Sequence, residues 1–492
     1  MDFQELFMFI DRTNSKIGQQ FLYDKLRSIP FDPIDINRHE KLIGEFTTNA
    51  DFRVFVQSQL CKLNDIQAYY ITTLFQDEHE KPPKWFFMIP ILSFLSLISL
   101  IMLFFRPMMF LVLITVFIIN MGIHYWNKQN LYQYLGSLPE LLKLNIVAKE
   151  LFKNELLKET NPDLAESLSI LDKVRSRMSY FNMEAKLQGE IEAIFWAMLE
   201  LLKILFLLEP LLLFGALRQI DTKRKEIENV FKFVGQIDSL ISIASLRKSL
   251  NKYCIPTILP ESKKLVTELV YHPLIPDCVK NSIHVNAKSI LLTGSNMSGK
   301  TSFIRTIGIN VITGLTINTC FAEQFSMPSM GVFSAIRISD DLMNDKSYYF
   351  EEVLTIKDMI DRSGNGKPNL FLLDEIFKGT NTIERISAGK AVLSLLTKAD
   401  NIVFVSTHDI ELADLLKDEY ELYHFSEKVD HKTVDFDYKL KDGKLKNRNA
   451  IRILQINGYP KSLIKEAIEI SKELDENTLI KQKFKNTDKI II

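Results

Sequence analysis

The sequence predicts two kinds of structure in one chain. A C-terminal α/β domain with a buried parallel sheet is preceded by an all-α region that a transmembrane helical hairpin interrupts. Three observations predict this. After Tyr253, short apolar runs such as SILLT, NLFLLDE and NIVFVSTH end in turn or polar residues and are followed by helical patterns, the alternation of strands buried on both faces with crossover helices. Before Tyr253, apolar residues recur at three and four, the spacing of amphipathic helices. Inside that helical region, Trp85 to Phe105 and Pro107 to Trp126 carry no charged residue, and each is long enough to cross a hydrocarbon core, which takes about 20 residues.

Composition sets the outer limits. A chain of 492 residues exceeds one compact core and implies several structural units. A formal net charge of -1 excludes a uniformly basic nucleic-acid binder but leaves room for a local basic stripe. Cys61, Cys254, Cys278 and Cys320 show no CxxC spacing, so neither a zinc site nor a disulfide framework is indicated, and a reducing compartment fits. The opening MDFQELFMFIDRTNSK is acidic where a secretory signal is basic, so no cleaved targeting segment is expected.

Taken in order, residues 1–80 form a helical segment, with Phe7, Ile10, Ile17, Phe21, Leu22 and Leu26 on one apolar stripe. Residues 85–126 form the hairpin, about 85–105 and 107–126, with Arg106 and Pro107 at the reversal. Lys81, Lys84 and Lys128 flank its outer ends and Trp85, Tyr125 and Trp126 suit the interface, so the positive-inside rule puts both soluble portions in the cytoplasm. The alternative, two core helices of a soluble domain, lacks the polar stripe such helices keep. A third apolar stretch, Trp196 to Leu217, contains Glu200, Lys203, Glu209 and the helix breaker Pro210, and is expected to be a buried or amphipathic helix and not a third span. It lies within a long-helix region, 128–250, where the charged run Asp221 to Glu228 is a solvated face. The α/β domain covers 254–445 and a helical tail covers 446–492.

The chemistry concentrates in the α/β domain. Gly294, Ser295, Asn296, Met297, Ser298, Gly299, Lys300 and Thr301 match GxxxxGK[ST] between the strand SILLT and a helix that opens with Ser302. Such a phosphate-binding P-loop points backbone N–H groups and a helix N-terminus at phosphate oxygens. Lys300 is then placed to reach the β- and γ-phosphates and Thr301 to ligate magnesium. The strand NLFLLDE ends in Asp374 and Glu375, the pattern in which the first acid holds the metal and the second polarises the attacking water. A third strand delivers Thr407 and His408 to the same edge, where His408 can contact the γ-phosphate and the water.

Together, TGSNMSGKTSFIRTIG, SDDLMNDKSYYFEEV and LLDEIFKGTNT resemble, in order and spacing, the ATPase motifs of the MutS family within the ABC-type class. The likeness is close from about Val234 to Ala413, moderate near the N-terminus through Asp11, Thr13, Gly18, Ile36 and Arg38, and faint from Lys128 to Glu190. The resemblance implies Mg2+-dependent ATP binding and hydrolysis in a dimer, a homodimer in the simplest case. There Ser347 caps the γ-phosphate of the opposite subunit's nucleotide, Glu352 matches the acid of that segment, and the 446–492 tail serves dimerisation. It also implies the MutS core and lever helices before the ATPase domain, and DNA as a partner in a mismatch-repair-like role. No stretch here resembles the family's mismatch-reading or connector domains. Ser298 replaces a P-loop glycine, Tyr348, Tyr349 and Phe350 replace T-F-M, and Phe377 and Lys378 replace G-R. Two other classes use related parts. A non-hydrolysing tethering scaffold has no need of Thr301, Asp374 and Glu375, and a transporter ATPase needs an LSGGQ-type signature and more than one hairpin.

Overall fold

The computed structural model describes residues 2–29, 36–76, 79, 82–159, 161–173, 190–260, 262–295, 297–336, 348–429, 434–445 and 450–473. Two units make up the chain: Ile10–Arg27 with Asp35–Ser249, and Met1–Phe9 with Ser28–Ile34 and Leu250–Ile492. Most of α1 (Phe3–Ile10) belongs to the second of these.

The first unit is helical. Its helices are α2 (Lys16–Arg27), α3 (Ile36–Thr48), α4 (Ala50–Leu60), α5 (Thr73–Gln76), α6 (Met88–Met102), α7 (Met109–Phe152), α8 (Glu155–Lys158), α9 (residues 164–173), α10 (Glu190–Phe206), α11 (Leu208–Asp221) and α12 (Arg224–Ser249). α12 is the spine. Its second half buries Phe233, Val234, Ile237, Leu240, Ile241 and Ile243 and is covered nearly all round, as a core helix must be. α2 docks on it through the buried Asp238, whose carboxylate accepts hydrogen bonds from Asn14 N at 2.9 Å, Asn14 Nδ2 at 3.0 Å, Ser15 N at 2.8 Å and Ser15 Oγ at 2.6 Å. Gly18 is required by this approach, since a Cβ there would lie 2.1 Å from Asp238 Oδ2. Arg247 reaches Glu40 on α3 in a two-pronged pair at 2.6 and 2.8 Å. Asn49 Oδ1 accepts from Phe52 N at 3.0 Å and starts α4.

Two details go beyond the sequence reading. The change of polarity after Trp126 is not the end of a helix. α7 continues unbroken for 44 residues with Pro139 inside it. Polar residues from Asn127 onward change the solvent a helix prefers, not its backbone bonding, so a polarity boundary is not an element boundary. Trp196 to Leu217 is also two helices, broken at Leu207 (φ 46°) and not at Pro210, which stands in the first turn of α11 where its missing N–H is not needed. By length and composition Lys84–Met102 and Met109–Lys128 can each cross a membrane, with 17% of each buried in the protein. Phe94, Ile101, Phe104, Phe105, Phe110 and Leu111 face outward.

The second unit has two sheets. The larger contains β4 (Ser289–Thr293), β6 (Gly331–Ala335), β7 (Asn369–Asp374), β8 (Ile402–Thr407), β9 (Tyr420–His424) and β12 (Lys441–Asp442) in the order β12-β9-β4-β8-β7-β6, parallel except for the edge strand β12. The smaller orders β1 (Thr257–Leu259), β5 (Gln324–Pro328), β2 (Lys264–Val270) and β3 (Asn281–Asn286). β10 (Glu427–Val429) and β11 (Val434–Phe436) form a ribbon. Helices α13 (Lys300–Ile317), α14 (Tyr348–Ser363), α15 (Thr382–Leu396) and α16 (Ile410–Leu416) cover the large sheet. α17 (Ala450–Ile456) and helical residues 461–473 follow.

Strand alternation sorts the core into two layers. Leu292, Leu370, Leu372 and Phe404 pack with Ile304, Ile307 and Val311 of α13. Leu291, Phe371, Leu373 and Val405 pack with Ile356 of α14, Leu393 of α15 and Leu412 of α16. Each such side chain contributes about 1.5–3 kcal/mol of burial. From the 1–80 segment, Met1–Phe9 joins this unit, where Asp2 pairs with Arg305 at 2.6 Å and Phe9 packs edge-on against Phe321. Parallel register sets Thr293 opposite Thr407 and Asp374 opposite Ser406, so one sheet edge gathers the predicted site.

Candidate nucleotide site

The loop between β4 and α13 is shaped by what its glycines leave out. A Cβ on Gly294 would meet Phe425 O and Ser298 Oγ at 2.8 Å, and Gly299 takes φ 105° with the Tyr438 ring 3.2 Å from where its Cβ would stand. Ser298, where the family pattern has glycine, fits because its Oγ donates to Ser295 O at 2.8 Å. Ser295 Oγ in turn donates to Glu427 Oε2 at 2.6 Å. Lys300 is buried at the helix start, and its Nζ donates to Gly294 O at 2.7 Å and Ser295 O at 2.9 Å. Burial lowers its pKa to about 8, against the opposing pull of Glu375 and Asp374. Met297 and Ser302 complete the loop's lining of the cavity.

The acids sit across from it. Thr301 Oγ1 donates to Asp374 Oδ2 at 3.0 Å, and Ser406 Oγ donates to Asp374 Oδ1. Glu375 has φ 53° and donates its N–H to Ser406 O at 3.0 Å, which turns its side chain away from the strand direction. Its carboxylate lies between His408, Nε2 to Oε1 2.9 Å, and Lys378, Nζ to Oε2 2.7 Å. Burial pushes its pKa up, but the hydrogen bonds from His408 and Lys378 outweigh that and hold it at about 2. Phe377, at φ 58°, donates its N–H to the buried Glu352 Oε1 at 2.7 Å, which ties α14 to the turn after β7. Burial raises the Glu352 pKa. Arg385 grips Asp409 at 2.9 and 2.8 Å, and Asp409 N–H donates to Thr407 Oγ1, fixing the turn that carries His408.

Ser295, the run from Met297 to Ser302, and Glu375 line a cavity of about 620 Å³ that Ile275, Asp277, Cys278 and Tyr438 also line. Gly294, Ser295, Met297, Ser298, Gly299, Lys300, Thr301, Ser302, Asp374, Glu375 and His408 are thus brought to one sheet edge. Asn296 and Ser347 lie outside the described residues. Among the described residues no group of three or more His, Cys, Asp or Glu side chains could hold a metal. The Thr301 hydroxyl and Asp374 carboxylate are hard oxygen donors of the kind magnesium takes, one or two from protein and the rest from phosphate and water. The donor set and the emptied glycine positions fit a magnesium nucleotide. Sequence reasoning missed Ser406, Lys378, Glu427 and Tyr438. Lys378 had a local signal, three residues after Glu375, while Ser406 and Glu427 arrive from other strands and Tyr438 from the stretch between β11 and β12.

Residues 290–475 match the family model of MutS domain V. Over these residues the chain is similar to the MutS family. MutS domain V is a P-loop ATPase-type domain, in accord with the parallel sheet and the loop before α13. Similar curated proteins include the DNA mismatch repair protein MutS of Aquifex pyrophilus, 27% identical over 54% of this chain and 32% of that protein. MutS of Petrotoga mobilis is 30% identical over 54% of this chain and 33% of that protein. The DNA mismatch repair protein MSH3 of Candida albicans is 26% identical over 55% of this chain and 28% of that protein. The chain spans about a third of the length of the curated relatives it matches.

Proposed function

We propose that the chain is a membrane-anchored MutS-type ATPase that binds and hydrolyses ATP with Mg2+ and converts the cycle into conformational change. The observation that carries this reading is the setting of Glu375. An ionised carboxylate is held from two sides at a strand end, beside the Thr301–Asp374 pair and facing the P-loop cavity. Lys300 exchanges the Gly294 and Ser295 carbonyls for phosphate oxygens, a charge-assisted bond in place of neutral ones. Thr301 and Asp374 would hold a magnesium ion, which would supply neutralisation of phosphate charge. Glu375 orients and polarises water, and His408 keeps that carboxylate aligned.

The remaining parts follow from the MutS resemblance and the apolar hairpin. Ser347 completes the site of a second copy, so the working unit is a homodimer with two shared sites. DNA is the partner by analogy with relatives that bear the name DNA mismatch repair protein. α6 and the first part of α7 anchor the chain as a multi-pass membrane protein, with both soluble portions cytoplasmic. The test is ATP-dependent association of detergent-purified full chain by light scattering. Glu375→Gln is expected to bind ATP and persist as a closed dimer, and Lys300→Ala to remain monomeric with or without ATP. A Glu375→Gln chain that stays monomeric while ATP-bound contradicts the shared site.

A further inference from the structure

We propose that α10 and α11 form a re-entrant membrane segment. It dips into the bilayer beside the hairpin and returns to the same side, with the outer face of α10 against lipid acyl chains. This rests on reading α6 and α7 as a transmembrane hairpin.

α10 has its polarity inverted. Its outward residues Met198, Leu201 and Leu202 are 55%, 55% and 41% exposed, while Lys203, on the face toward the hairpin, is 2% exposed. A helix on the surface of a soluble unit turns its charges outward, whereas in a bilayer charged residues face the bundle interior and pair there. The inward charges are paired. Glu200 accepts from Lys128 at 2.6 Å, lies 3.2 Å from Lys203 Nζ and lies 3.1 Å from His124 Nε2. His124 Nδ1 lies 3.3 Å from Glu209, itself 1% exposed, so one imidazole on α7 joins both legs of the segment. The outward apolar residues continue the exposed apolar surface of α6 and α7, which argues for lipid as the occupant.

The break between the legs is covered, and a buried side chain serves one of its carbonyls. Helix termination at Leu207 frees carbonyl groups, and the Leu205 carbonyl accepts a hydrogen bond from the fully buried Asn120 Nδ2 at 2.8 Å. Leu207 is itself buried against Ile89, Leu92 and Val116. Irregular backbone at membrane depth persists only where protein covers it and supplies its partners. Asn120 lies about 12 Å along α7 from Lys128, at a rise of about 1.5 Å per residue, so the turn sits near mid-bilayer. From there the second leg comes back: Phe214 packs 4.9 Å from Phe86, and Asp221 Oδ1 lies 2.7 Å from His79 Nδ1, at the start of the first span. Entry beside Lys128 and exit beside His79 open on one side, so the segment does not cross. α12 begins at once after it, which makes the segment the membrane end of that long helix.

The test is site-directed spin labelling of full chain in liposomes, after replacing the four cysteines by serine, with Leu201→Cys, Phe94→Cys and Lys232→Cys as separate labelling sites. Collision rates with oxygen and with a water-soluble nickel complex are compared, and each variant is accepted only if its ATPase rate matches the cysteine-free parent. The expected result is that site 201 resembles site 94, with oxygen collisions at least several-fold above nickel, while site 232 shows the reverse. Nickel access at 201 like that at 232, with 94 still lipid-facing, overturns the re-entrant segment and leaves the hairpin standing. Nickel access at both 94 and 201 removes the membrane reading itself. Low collision rates with both reagents at 201 mean that protein, a second copy included, covers α10, and also overturn the inference. Met198→Cys, on the same face, serves as a second site should Leu201→Cys fail the activity criterion.

Discussion

At the residue scale the site is a set of fixed charges whose states can be assigned. Lys300 has its pKa lowered to about 8 by burial, so its protonated fraction falls as pH rises through that value. ATP affinity is expected to drop roughly tenfold between pH 7 and pH 9, because phosphate binds the charged form. Lys300→Arg, charged throughout, should flatten that dependence even if it binds less well, and titration of a fluorescent ATP analogue at both pH values measures it. Lys300→Ala should cost about 1.5–3 kcal/mol of binding, roughly 10- to 150-fold. Glu375, held at about 2, stays ionised at all working pH values, so the rate profile should show no acid limb from this group between pH 5 and pH 7. The loop residues, Asp374 and Glu375 were legible because each motif is local in sequence. Ser406, Glu427 and Tyr438 were not, because strand register brings the first, and the chain's return after β9 the other two, from far along the sequence.

At the element scale, helix packing depends on a few close approaches. Gly18→Ala would drive a methyl group into Asp238 and should destabilise the helical unit by about 1–3 kcal/mol, read as a lower thermal midpoint of purified protein. Asp238→Ala should cost more, since it strips acceptors from Asn14 and Ser15 in a buried setting. The sheet alternation was readable from SILLT, NLFLLDE and NIVFVSTH because parallel strands buried on both faces leave continuous apolar runs. The length of α7 and the break at Leu207 were not, because a polarity change at Asn127 resembles an end and Pro210 resembles a kink. Tertiary contacts, Asn120 on the Leu205 carbonyl among them, decide where the chain turns.

At the scale of the whole molecule, a MutS domain V follows a helical unit that carries two long apolar helices. The chain is expected to stay with membranes after alkaline carbonate washing and to leave them in detergent; recovery in the wash would contradict the anchor. If DNA is bound, the binding should weaken steeply with salt, which a gel shift on duplex, mismatched and branched DNA at two salt concentrations would read. Hydrolysis at the Glu375 site is the claim on which the rest depends. Its most direct test is steady-state phosphate release by purified full chain with ATP and Mg2+, beside Glu375→Gln under the same conditions. Measurable turnover is expected, falling by about 10²–10⁴ in the variant while ATP binding is kept. Equal phosphate release by the two proteins, or none by the unmodified chain, would contradict it.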